Sequence, residues 1–247
     1  MNILVVGAGT MGRWFARTVT AETDVEIAFA DTDPDAAATA ADELGGRAVA
    51  LDTDERFDTV CLAVPIAVIG DAVADHAPKA DHAILDVTGV MNEPIDAMRT
   101  HAPDRERMSL HPLFAPENAP GNVAVVTDAS GPMTNEIRAA LAAQNTLFET
   151  TPAEHDRAME TVQARAHTAV LAYALAAEDV PEEFQTPISG PLSALAEQVL
   201  SGSPQVYTEI QESFDGAEAV ADAAERIASA GATEFEQLYC EARGNDE

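Results

Sequence analysis

The residues best placed to do chemistry begin at the sixth peptide bond. Gly7-Ala8-Gly9-Thr10-Met11-Gly12 matches G-x-G-x-x-G. In that pattern Gly7 permits a tight turn, Gly9 lets the backbone approach a pyrophosphate, and Gly12 allows close helix–strand packing. The N–H groups that follow, at Thr10, Met11 and Gly12, open a helix and can face phosphates. The match follows an apolar run, Ile3–Val6, and precedes helical spacing, the context that a dinucleotide site needs. Asp31 ends the next apolar run, nineteen residues past Gly12. An acid there holds a ribose 2′-hydroxyl and disfavours a 2′-phosphate, which favours NAD over NADP. Asp33 is the alternative acid. Val64-Pro65 ends a further strand, either at the ligand crevice or as an ordinary strand stop. Asp86-Val87-Thr88-Gly89 ends another, so Thr88 either offers its hydroxyl to cofactor or substrate or lies in a plain turn.

Six histidines need sorting. His76, His82 and His101 lie in polar surroundings near helix ends and read as surface residues. His155, beside Asp156 in the first turn of a helix, reads as structural. His111 lies in Ser109-Leu110-His111-Pro112-Leu113-Phe114-Ala115-Pro116, just past a strand and inside an apolar turn. Such an imidazole is either a general base, with its pKa near neutrality, or a buried hydrogen-bonded histidine. His167 shares helical spacing with Gln163 and Met159, at i, i+4 and i+8. That face either turns toward a cleft or makes an interhelical hydrogen bond. No histidine or cysteine cluster has metal-ligand spacing.

The elements that would position these residues fall into two patterns. Up to residue 150, short apolar runs alternate with amphipathic stretches, predicting a doubly wound, mostly parallel Rossmann-type sheet. Thr151-Pro152-Ala153-Glu154 then reads as a capping box, opening one long helix to about residue 178. Helical patterns return at about 191–201 and after Ser203-Pro204, with a short helix past Gly231 and a polar tail. The expected domains are therefore 1–150, binding NAD, and 151–247, all-helical.

Composition sets the limits. The 247 residues carry 43 Asp+Glu against 13 Lys+Arg, a net charge of -30. The acidity is shared almost equally between residues 1–150 and 151–247, so it is a skin over a folded body. It repels phosphate backbones and anionic lipids, which argues against nucleic-acid and membrane-surface roles. With Lys79 as the one lysine, it resembles the proteins of salt-in halophiles, where molar salt screens self-repulsion. Two cysteines, Cys61 and Cys240, make no disulfide framework, and the N-terminus lacks a signal-peptide pattern. The expected location is the cytoplasm.

Taken in order and spacing, Gly7–Gly12, Val64-Pro65-Ile66, Asp86–Asn92, His111–Pro116, and Glu154-His155-Asp156 followed by Met159, Gln163 and His167 resemble the prephenate dehydrogenase family. Pro187 and Ser203-Pro204-Gln205-Val206-Tyr207 continue the likeness, which runs from Met1 to about Ala230. The resemblance implies oxidative decarboxylation of prephenate to 4-hydroxyphenylpyruvate, with hydride transfer to NAD, in tyrosine biosynthesis. It implies that His111 accepts the proton of the ring hydroxyl, that His167 and Gln163 orient substrate, and that the helical domain forms a homodimer. The sequence departs from the family at three places: Gly89 and Met91 replace a Ser-x-Lys pair, Gly190 falls where an arginine anchors a carboxylate, and Ala115 replaces a glycine. Arg165 is the nearest cation in the signature helix. Arogenate is the alternative substrate. A hydroxyacid or pyrroline-carboxylate dehydrogenase and a non-catalytic NAD-binding regulator are the other readings.

Overall fold

The computed structural model describes residues 1–244; the last residues of the expected polar tail, 245–247, lie outside the described set. Two compact units divide between Asp156 and Arg157. The division falls after the Thr151 turn because His155 and Asp156, though on the new helix, hydrogen-bond into the sheet unit.

The first unit is built on one eight-stranded sheet. Its strands are β1 (Asn2–Val6), β2 (Glu26–Ala30), β3 (Arg47–Ala48), β4 (Phe57–Leu62), β5 (Ala80–Asp86), β6 (Glu106–Pro112), β7 (Asn122–Ala129) and β8 (Thr146–Glu149). Their order is β3-β2-β1-β4-β5-β6-β7-β8, and only the β6–β7 pair is antiparallel. Helices α1 (Thr10–Glu22), α2 (Pro34–Leu44), α3 (Ile69–His76), α4 (Asn92–His101) and α5 (Pro132–Ala142) make the crossovers. Central strands read as unbroken apolar runs because helices cover both faces. Ile3, Val5, Phe29, Cys61, Leu85 and Leu110 lie fully inside one core. The two-residue β3 escapes sequence reading, since its residues are exposed and carry no apolar pattern.

Strand order reverses between β1 and β4, and there the carboxyl ends of the strands open the ligand crevice of such sheets. Local signals place the chain around it. Asp33 caps α2 by accepting the Asp35 N–H at 3.0 Å, with Pro34 in the first turn. Thr151 caps α6 (Pro152–Met159), its hydroxyl accepting the Glu154 N–H at 3.2 Å.

The second unit is helical. The expected long helix is present, but residues Glu160–Arg165 widen into a π turn between α6 and α7 (Ala166–Ala176). A π turn releases a carbonyl, and Gln211 Nε2 donates to that of Ala164 at 3.1 Å. Beyond it come α8 (Ser189–Leu200), α9 (Pro204–Ser213), α10 (Ala217–Ser229) and α11 (Ala232–Ala242). The helical stretch read from Ser203-Pro204 to Gly231 is thus two helices, broken at Phe214-Asp215-Gly216, where a Cβ on Gly216 would meet the Glu160 carbonyl at 2.9 Å. Among the described residues no helix is long and apolar enough to cross a membrane.

Candidate active site

The glycine loop turns where β1 ends. Gly7 has φ +98°, and a Cβ there would stand 2.2 Å from the Ala63 carbonyl oxygen. A Cβ on Gly12 would stand 2.0 Å from the Gly7 oxygen. Both positions are therefore closed to any side chain by the fold itself. Gly9 differs: a Cβ would meet nothing within 4 Å, and the residue is exposed at the N-cap of α1. Space beside Gly9 and the first-turn N–H groups of α1, which have no intrahelical acceptor, form a cradle that fits a pyrophosphate. Thr10 is exposed and Met11 half-buried at this end.

Asp31 lies at the end of β2, beside the loop. Its carboxylate accepts the Ala8 N–H at 2.7 Å and the Asp33 N–H at 2.9 Å, which aim it at the crevice edge. Val64 is half-buried and Pro65 exposed just past β4, next to Gly7 through the Ala63 contact. Thus Gly7, Gly9, Gly12, Asp31, Val64 and Pro65 gather at the carboxyl ends of β1, β2 and β4.

Thr88 sits past the end of β5, but buried. Its hydroxyl is directed to Asp86 Oδ2 at 2.5 Å and the Val90 carbonyl at 3.1 Å, which leaves it no proton to donate outward. The Thr88 N–H also donates to Asp86, at 3.0 Å. Asp86 is fully buried, and that burial, against the opposing Thr88 hydrogen bonds, raises its pKa to about 7.

His111 lies on β6 itself, paired with Ala124 of β7, and is 7% exposed. Phe114, three residues on, packs edge-on against Trp14 of α1, pinning the turn that follows. His111 Nδ1 lies 2.8 Å from His155 Nε2, and the two rings cross at 71°. On its far side His155 Nδ1 lies 2.8 Å from Asp156 Oδ1. Asp156 in turn accepts the Met91 N–H at 2.9 Å, the Asn92 N–H at 3.0 Å and the Asn92 side-chain amide at 2.6 Å. The other ring nitrogen, His111 Nε2, lies 3.9 Å from where a Gly89 Cβ would be. The expectation of a pKa near neutrality is corrected. Burial, followed by the facing His155, pushes His111 down to about 3, so the ring stays neutral over the whole working range.

Sequence reading missed three residues here. His155 and Asp156 look like an ordinary first turn, and their partnership with His111 spans 44 residues of chain. The HD pair at the helix start was the available signal. Asp86 ends a strand, a position that reads as bordering the crevice, yet it is fully buried. The surface reading of His76 is also corrected. It is buried at the end of α3, its Nδ1 2.9 Å from Lys79 Nζ, and burial with the nearby ammonium lowers its pKa to about 4.

Gln163 and His167 belong to the helical unit. Gln163 lies in the π turn, which carries the stripe from Met159 to His167 out of simple i+4 phase. His167 crosses Tyr207 edge-on at 5.0 Å, and its buried Nδ1 has no hydrogen-bond partner among the described residues. Burial lowers the His167 pKa. Arg165, half-exposed, approaches Glu160 at 3.8 Å. Among the described residues no group of acids, histidines and cysteines could hold a metal ion.

Comparison with known proteins follows the same lines. Residues 15–128 match the model of the prephenate dehydrogenase nucleotide-binding domain. The chain is 28% identical to a 4-amino-4-deoxyprephenate dehydrogenase from Streptomyces pristinaespiralis, over 98% of this chain and 90% of that protein. Its fold is similar to that of prephenate dehydrogenase from A. aeolicus, solved with hydroxyphenyl propionate and NAD+, at TM-score 0.71 and 14% identity, covering 100% of this chain and 93% of that one. It is also similar to Synechocystis arogenate dehydrogenase, at TM-score 0.64 and 17% identity, covering 99% and 98%.

Proposed function

We propose, from the prephenate dehydrogenase family that these matches support, that this protein oxidatively decarboxylates prephenate to 4-hydroxyphenylpyruvate in the cytoplasm. The observation that carries the reading is a buried, neutral imidazole, His111, at the carboxyl end of a strand in a glycine-cradle sheet. A nicotinamide bound along Gly7, Gly9, Thr10, Met11, Gly12, Val64 and Pro65 would accept the hydride from the ring carbon that bears the hydroxyl. Asp31 would take the ribose 2′-hydroxyl, favouring NAD over NADP.

His111 Nε2 accepts the hydrogen bond of the ring hydroxyl and draws its proton as carbonyl character develops. The bond to the ring carboxylate then breaks, carbon dioxide leaves, and its electron pair makes the ring aromatic. The proton returns from His111 to the ring oxygen, so none is released overall. His167 and Gln163 would orient substrate from the helical unit, with Arg165 the candidate cation of the signature helix. Thr88 is tied to Asp86 and would act by holding the loop over the substrate. Leu175, Ile188 and Phe184, 88%, 80% and 75% exposed, would be covered by a second copy in a homodimer. The acidic skin would make molar salt a requirement for full activity.

The Streptomyces relative supports a second reading, in which the ring carries an amine in place of the hydroxyl. A neutral His111 accepts a hydrogen bond from N–H as well as O–H. The test is a panel of prephenate, arogenate and 4-amino-4-deoxyprephenate, each with NAD and NADP in molar KCl, following reduced nicotinamide. The proposal expects prephenate with NAD to turn over fastest. Preference for the amino substrate selects the second reading, and silence across the panel overturns both.

A further inference from the structure

We infer that Asp156 and His155 are positioning residues that hold His111 in a single tautomer, with Nδ1 protonated and Nε2 presented as the acceptor. Three N–H groups, from the Met91 and Asn92 backbone and the Asn92 amide, converge on Asp156. Burial opposes its charge, yet hydrogen bonds from His155, Asn92 and Met91 outweigh it and hold the carboxyl below its ordinary value. An ionised carboxylate only accepts, so the His155 nitrogen 2.8 Å away must donate. The His155 side chain is 1% exposed, and such burial disfavours a second ring proton, so its Nε2 accepts and the His111 Nδ1 facing it at 2.8 Å donates. The uncharged His111 ring then carries its in-plane lone pair at Nε2, on the side of Gly89.

The consequence for chemistry is electrostatic as well as geometric. A buried imidazole that gains a proton would carry an unmet charge. Here the Nδ1 proton can lean toward His155, whose other side already rests on Asp156. The developing charge is met through one ring, as in a triad extended by one member. The first turn of α6 belongs to the sheet unit, with His155 bonded to His111 of β6 and Asp156 to Met91 and Asn92 at the start of α4.

The inference rests on the proposed role of His111 only where rate is concerned; the tautomer is read on the protein without substrate. The experiment is long-range proton–nitrogen NMR on the full chain labelled with nitrogen-15 at histidine, in molar KCl, comparing wild type with Asp156→Asn. In the variant the amide oxygen stays with the two Asn92 N–H groups, which both donate to Oδ2, and the amide N–H takes the place of Oδ1 and turns to His155, at the cost of the Met91 bond. Both rings should then invert, leaving His111 protonated at Nε2. The variant should lose about 10²-fold in kcat, with KM and cofactor affinity nearly unchanged. If Asp156→Asn does not fold, His155→Phe replaces it and should give His111 as a mixture of tautomers. A wild-type His111 protonated at Nε2, a His155 protonated on both nitrogens, or a tautomer unmoved by the substitution overturns the inference. Inversion of the rings with no turnover in either protein would uphold it and fault the proposed reaction instead.

Discussion

The sheet unit and the helical unit solve the same problem differently. In the sheet unit, crossover helices cover both faces, and Leu4, Phe15, Ile84 and Met98 are wholly inside. In the helical unit, few side chains are buried, among them Ala164, Ala196, Ile210 and Phe214, while Leu175, Ile188 and Phe184 face outward. The first unit completes its own core and can hold a histidine at a depth where it stays neutral. The second presents apolar surface that a single copy leaves uncovered. The difference teaches where to look for chemistry, in the self-sufficient unit, and where to look for assembly.

The largest expected effects lie in the glycine loop. Gly7→Ala forces a side chain into a left-handed backbone and against the Ala63 carbonyl. It should cost about 3 kcal/mol or more, the sum of strain and overpacking, read by denaturant unfolding in molar KCl. Gly9→Ala meets nothing within 4 Å, so it should leave stability nearly unchanged and weaken only cofactor binding, read by titration. Equal losses at the two positions would break the distinction between fold glycines and ligand glycines.

Next comes a pair of leucines that sharpens the contrast between units. Leu85→Ala in the sheet core should cost about 2–5 kcal/mol without changing oligomeric state. Leu175→Ala should cost little in unfolding and instead raise the dissociation constant of a dimer, measured by analytical ultracentrifugation. A monomeric wild type at every concentration would remove the assembly reading.

The last effect is in pH dependence, and the groups driven furthest, Cys61, His76, His111 and Asp86, all lie in the sheet unit. His76 and His111 are depressed to about 4 and about 3, so stability held by their neutral forms is lost as pH falls below 6.5 toward those values. Asp86 is raised to about 7, so its contribution runs the other way and is lost as pH rises through 7. Asp86→Asn should therefore gain on wild type between pH 5 and 8, read by thermal unfolding across that range. A constant offset between the two would show that Asp86 is ionised throughout.

The contrast also explains what could be read from the amino acids alone. Buried strands such as Ile3–Val6 and the glycine loop are contiguous, so local pattern reveals them. His111 was legible through the prolines and apolar residues around it. The relay was not, because His155 and Asp156 sit in a polar helix start, and only packing brings them to β6. The depth of His76 and Asp86 was hidden for other reasons: His76 follows Asp75 at a helix end, and Asp86, though flanked by Leu85 and Val87, stands at the end of a strand that borders the crevice. The π turn at Glu160–Arg165 carries no composition signal at all.

The most direct test is His111→Asn, measured for cofactor binding and for turnover in the same preparation. The cradle at Gly7–Gly12 is separate from β6, so cofactor affinity should match wild type while kcat falls by about 10²–10⁴. Turnover near the wild-type rate would contradict the account, leaving His111 a buried structural histidine and placing the chemistry elsewhere.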